Sequence, residues 1–135
     1  MRNIDVFFYG LFMDESLLRS KGVADPNLRP ATLTGYRLRI GNRATLIPMS
    51  GEIVYGLVAS LSHDELERLY SEPGVQTYKP EAVLVHLPKG GGVPALCFNL
   101  PEPPSEEERN TEYAAKLRDL ARQLNFPEEY VQSIR

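Results

Sequence analysis

The sequence predicts an α+β domain, built as a small mixed or antiparallel β-barrel with flanking helices. Three observations predict it. Short apolar, β-rich runs are separated by tight turns. Most of them precede the main helical repeat, and the elements read in the order β-α-β-β-β-α-β-β-α. A chain of 135 residues fits one domain, residues 1–135, and is long enough to bury a core.

The elements follow in chain order. Ile4–Tyr9 is an almost wholly apolar run, as in a central buried strand. It stops at Gly10, and Asp14 opens a short helix carrying Leu17 and Leu18. Ala31–Ile40 alternates around Leu33, Tyr36, Leu38 and Ile40. Ala44–Ile47 reads as a short strand ending at Pro48, and Ile53–Ser60 as a separate, stronger one. Ser62 and Glu65 form a capping box ahead of Leu66 and Leu69. Glu81–Leu87 and Val93–Leu100 flank three glycines and predict a hairpin. Ser105 with Glu108 predicts a second capping box, followed by Tyr113, Leu117, Leu120 and Leu124 at helical spacing. Glu128 to Ile134 forms the last helical turns after Pro127.

Composition narrows the function. Fifteen basic and 18 acidic residues give a formal charge of −3. That argues against a nucleic-acid surface, which shows a basic stripe. Asp5 interrupts the stretch where a signal peptide needs its apolar core, and no run reaches transmembrane length. Cys97 is the single cysteine. A cytoplasmic protein with no membrane and no nucleic-acid partner is the expectation. His63 and His86 lie in different elements without metal-ligand spacing, and no nucleophile elbow is present. No metal and no cofactor are expected.

Two features carry chemistry. The first is the strand–glycine–helix opening, Tyr9-Gly10-Leu11-Phe12, which offers backbone N–H groups to a carbonyl or an anion. The second is Glu72, in the phrase LYSEPGVQTY after the Ser62 helix, with Pro73 and Gly74 fixing a turn. A carboxylate placed there suits a proton carrier; an ordinary turn glutamate is the plain alternative. Arg43 offers a bidentate site for a carboxylate, and Tyr78 lies within reach of Glu72. Tyr9 and Tyr113 serve either packing or ligand contact.

Over nearly its full length the chain resembles the gamma-glutamylcyclotransferase-like (AIG2-like) family. The resemblance rests on Tyr9-Gly10-Leu11-Phe12, on Val54-Tyr55-Gly56 leading into SLSHDELERL, on Glu72-Pro73-Gly74 with Tyr78 shortly after, and on the FPEEYVQSI tail behind the helix that holds Tyr113. It implies a small barrel whose glycine loop binds a gamma-glutamyl group through backbone atoms. It further implies Glu72 as the acid and base, and a cyclisation that releases 5-oxoproline and an amine or amino acid. Such a reaction uses the substrate's own α-amine as nucleophile and requires no cofactor. Leu11 stands where members carry a small polar residue, and an ungapped match puts Pro73 at the acid's position, beside Gly74. A non-catalytic relative binding a small ligand or protein partner in the same cleft is the second expectation. Glu81, opening the next strand, is the fallback acid.

Overall fold

The computed structural model describes residues 3–135. Its elements are β1 (Asn3–Phe8), a 3₁₀ turn (Leu11–Met13), α1 (Glu15–Ser20), β2 (Arg29–Ile40), β3 (Ala44–Ser62), α2 (His63–Leu69), β4 (Lys79–His86), β5 (Gly92–Asn99), α3 (Thr111–Gln123) and α4 (Glu128–Ser133). The strands close into a barrel in the order β1-β3-β2-β4-β5. Neighbours pair antiparallel except β1 and β5, which meet in parallel at Val6 and Leu96.

The apolar opening run explains the position of β1. Val6, Phe7 and Phe8 are all buried, so both faces of the strand need cover. Both of its edges are paired as well, by β3 from Asn3↔Ser62 to Phe8↔Leu57 and by β5 at Leu96. At the end of this ladder a glycine is required. A Cβ on Gly56 would sit 2.3 Å from the Phe8 carbonyl oxygen and 2.6 Å from the Phe7 ring.

Three boundaries differ from those the sequence suggests. The two expected strands, Ala44–Ile47 and Ile53–Ser60, are one strand, β3. Pairing with β2 runs on both sides of Pro48, and the register shifts between Thr34↔Ile53 and Tyr36↔Pro48, so the irregular segment bulges without ending the strand. Tyr9 falls just past β1. The third difference concerns the helix expected from Ser105: α3 starts at Thr111, with the Asn110 side chain accepting from the Tyr113 amide at 3.0 Å. Residues 105–108 form a turn instead. The Glu108 carboxylate accepts from the Ser105 amide at 2.9 Å and, reaching across, from the Asn42 amide at 3.1 Å. Asn110 Nδ2 donates to the Asn42 carbonyl at 3.1 Å. Glu108 and Asn110 thus hold the β2–β3 turn instead of extending the helix.

The Ser62 capping box is complete, with both reciprocal hydrogen bonds made. On α3, Ala114, Leu117 and Ala121 are buried, and Leu120 and Leu124 pack against the core from partly buried positions. Val131 of α4 and the following Ile134 complete this layer. Cys97 is fully buried. Desolvation, with a smaller contribution from the Glu81 charge, pushes its thiol up to about 12. Among the described residues no helix is long and apolar enough to cross a membrane.

Candidate functional site

Where β1 ends, the chain turns away from the barrel and leaves a cavity of about 320 Å³. One wall is Tyr9-Gly10-Leu11-Phe12, backed by Tyr113 of α3. The second is the β2–β3 turn with Asn42 and Arg43. The third is Pro73-Gly74-Val75 with Tyr70 and Tyr78, and Phe98 of β5 contributes from the barrel. The sequence-predicted residues Tyr9, Gly10, Leu11, Phe12, Arg43, Tyr78 and Tyr113 are thus brought together, although they come from four separate stretches.

The phenols are structural donors and acceptors. Tyr9 Oη donates to the Phe98 carbonyl at 2.7 Å. Tyr78 Oη donates to the Ala44 carbonyl. Tyr113 Oη accepts from the Leu11 amide at 3.2 Å, which anchors the glycine loop to α3. A Cβ on Gly10 would lie 2.5 Å from that same oxygen, so only glycine lets the loop and Tyr113 approach this closely. Burial raises the proton affinity of Tyr9, Tyr70 and Tyr113, and they stay neutral across the physiological range. With the Leu11 amide engaged, an oxyanion would turn to the amides of Gly10 and Phe12. Among the described residues neither has an acceptor outside the loop's own turn.

An aromatic run lines the floor. Phe12 meets Phe8 and Tyr70 edge-on, at 5.7 and 5.8 Å between ring centroids. Tyr70 stacks on Phe98 at 4.0 Å with 13° between planes. Tyr70 and Phe98 were not legible as site residues. Tyr70 is the residue that ends α2, and Phe98 is one of several apolar positions in β5. Only the closure of the barrel shows that they face one another.

Arg43 is the only cation among the described lining residues. Its Nη1 donates to Thr77 Oγ1 at 3.0 Å, which leaves most of the guanidinium fork open.

The carboxylates lie elsewhere. Glu72 does not line the cavity, although Pro73 beside it does. Its Oε1 pairs with Lys21 Nζ at 2.5 Å, and 43% of its side chain is exposed. The cause is local: Lys21 caps the C-terminus of α1, directly facing the turn, and a lysine there draws the carboxylate outward. Tyr78 consequently bonds Ala44 and not Glu72. Glu81 sits in β4, bonded to Tyr36 and Asn99, and does not line the cavity either. Among the described residues no aspartate or glutamate lines it, and no three His, Cys, Asp or Glu side chains gather as a metal site would need.

The fold is thus a closed five-stranded barrel with helices around it and a concave glycine-loop cavity at the end of its first strand. The family model for "Gamma-glutamyl cyclotransferase, AIG2-like" matches residues 6–117, and the chain belongs to that family. Among solved structures, a protein described as a gamma-glutamyl cyclotransferase is 20% identical with a TM-score of 0.77; the match covers 98% of this chain and 86% of the other. An uncharacterised protein from Homo sapiens is 20% identical with a TM-score of 0.78, covering 99% and 87%. YkqA from Bacillus subtilis is 25% identical with a TM-score of 0.79, covering 98% of this chain and 53% of its own. No curated protein matches by sequence.

Proposed function

We propose that the chain binds a small gamma-glutamyl amide in the glycine-loop cavity and cyclises it, releasing 5-oxoproline and an amine. The observation that carries this is the cavity itself, formed by the Gly10 loop and Arg43 in a chain of this family. Arg43 takes the α-carboxylate as a bidentate partner. The Gly10 and Phe12 amides steady the oxygen of the γ-carbonyl as it becomes an oxyanion. The α-nitrogen attacks the γ-carbon, forming the lactam C–N bond, and the amide C–N bond breaks. Two protons leave the α-ammonium as it becomes the lactam N–H; one arrives on the departing nitrogen and the other goes to solvent, so the reaction needs no co-reactant. Holding the folded-back conformer provides the proximity.

Glu72 is the proposed proton carrier. Its neighbour Pro73 lines the cavity, and a partly exposed ion pair costs little to open. Its carboxylate reaches the substrate after leaving Lys21. A second reading, binding without turnover, is favoured by one observation: the carboxylate-free wall, with Glu72 committed to Lys21.

Release of 5-oxoproline from a set of gamma-glutamyl amides, without added metal, tests the choice. Cyclotransfer predicts turnover by the wild type and a roughly 10²–10⁴-fold slower Glu72→Gln variant. Turnover that persists unchanged in Glu72→Gln removes the proposed carrier. Saturable binding with no 5-oxoproline from a folded wild type establishes the second reading.

A further inference from the structure

The walls of the cavity differ in chemistry, and the difference selects a leaving group. With one lining cation, the α-carboxylate of a gamma-glutamyl ligand is drawn to the Arg43 wall. The amide substituent is left facing Leu11, Phe12 and Tyr70. On that side the Tyr70 hydroxyl and the Tyr113 hydroxyl proton are the polar groups left over, and neither carries the negative charge that pairs an ammonium. Tyr9 and Tyr78 spend their hydroxyl protons on backbone carbonyls, and Tyr113 accepts from Leu11. Among the described residues no carboxylate lines the cavity to pair an ammonium, and a buried unpaired charge is strongly disfavoured. The Phe12, Tyr70 and Phe98 rings instead offer a continuous apolar and aromatic surface.

Resting on the cyclotransfer reading, we propose that the substrates are gamma-glutamyl amides of apolar amines, alkyl or aromatic, with Leu11 and Phe12 as the specificity-determining side chains. The bonds made and broken are those already given; the group leaving is a neutral apolar amine that has gained one proton on nitrogen. Each further methylene buried on this wall is worth roughly fourfold in affinity. An ammonium in the same place loses that gain and adds a desolvation cost.

A pair of near-isosteric ligands tests this: gamma-glutamyl-n-butylamide and gamma-glutamyl-3-aminopropylamide, with the ethylamide as a shorter member. Affinity is read by calorimetry and turnover by 5-oxoproline release, on wild type and on Leu11→Thr and Leu11→Asp. The butylamide is expected to bind at least about tenfold more tightly than the aminopropylamide, and roughly tenfold more tightly than the ethylamide, from its two extra methylenes. Leu11→Asp should reverse the first ratio and Leu11→Thr should shrink it. Tight butylamide binding with no 5-oxoproline upholds this selectivity and removes cyclotransfer. Turnover with equal or better use of the aminopropylamide overturns the selectivity and keeps cyclotransfer. Binding of none of the three overturns both.

Discussion

Gly10 shows how a single residue sets the site. The Tyr113 hydroxyl stands 2.5 Å from where a Cβ would be, and it accepts from Leu11, the next residue. Gly10→Ala must push the Tyr113 ring away and break that bond. A loss of about 1–3 kcal/mol is expected in denaturant unfolding, with ligand affinity falling as well. Cys97 gives a second residue-scale prediction. Its thiol is buried and ionises only near 12, against an ordinary 9.0, so alkylating reagents should leave the native protein unlabelled at pH 8 and label it once unfolded. Because the folded value is the higher one, this group favours folding below pH 9, and its contribution fades as the pH rises from 9.0 towards 12. Rapid native labelling would show that the β5 core is open. At this scale the glycine loop was legible, because Tyr9 to Phe12 are contiguous. The Glu72–Lys21 pair was not: its members lie 51 positions apart, and nothing near Glu72 in the chain signals a lysine opposite.

The elements separate two sequence patterns that look alike. Ser62 with Glu65 and Ser105 with Glu108 both have the spacing of a capping box, yet only the first caps a helix. Each glutamate accepts from the serine amide three residues back and from a distant amide, Ala24 for Glu65 and Asn42 for Glu108. The difference is that the Glu65 amide donates to the Ser62 hydroxyl, whereas the Glu108 amide donates to the Ser105 carbonyl and closes a turn. Hydrogen bonds from the Ser62 amide hold the Glu65 carboxyl below the usual value of 4.5. The sign follows: a lowered folded value stabilises above the unfolded one and is lost as pH falls through the folded value. The stability gap between wild type and Glu65→Gln should therefore be present at pH 7 and close on acidification from 4.5 downward, as read by thermal melts at stepped pH. An unchanged gap in acid would assign the effect to packing. Gly56 connects element to motif. Its place in Val54-Tyr55-Gly56 is explained by the Phe8 carbonyl 2.3 Å from the missing Cβ. Leu117, fully buried on α3, should cost about 2–5 kcal/mol when cut to alanine, measured by denaturant titration.

For the whole molecule, the periodic elements were legible because apolar alternation and helical spacing are local. A barrel was legible too, but not the strand pairs that close it. The β1–β5 and β2–β4 contacts each join strands far apart in sequence, through Val6↔Leu96 and Thr32↔His86. That closure puts Tyr70 and Phe98 face to face and gives the glycine loop its floor. The molecule also carries an internal control, a second hollow at another place on the barrel, bordered by Thr32, His86 and Phe126. Titration of a gamma-glutamyl alkylamide into isotope-labelled protein, followed through backbone amide resonances, tests the glycine-loop cavity as the ligand site. Saturable shifts at Gly10, Phe12, Arg43 and Gly74 are expected, with Thr32, His86 and Phe126 unmoved. Shifts confined to the second hollow, or no shifts at millimolar ligand, would mean that the glycine loop does not hold a gamma-glutamyl group.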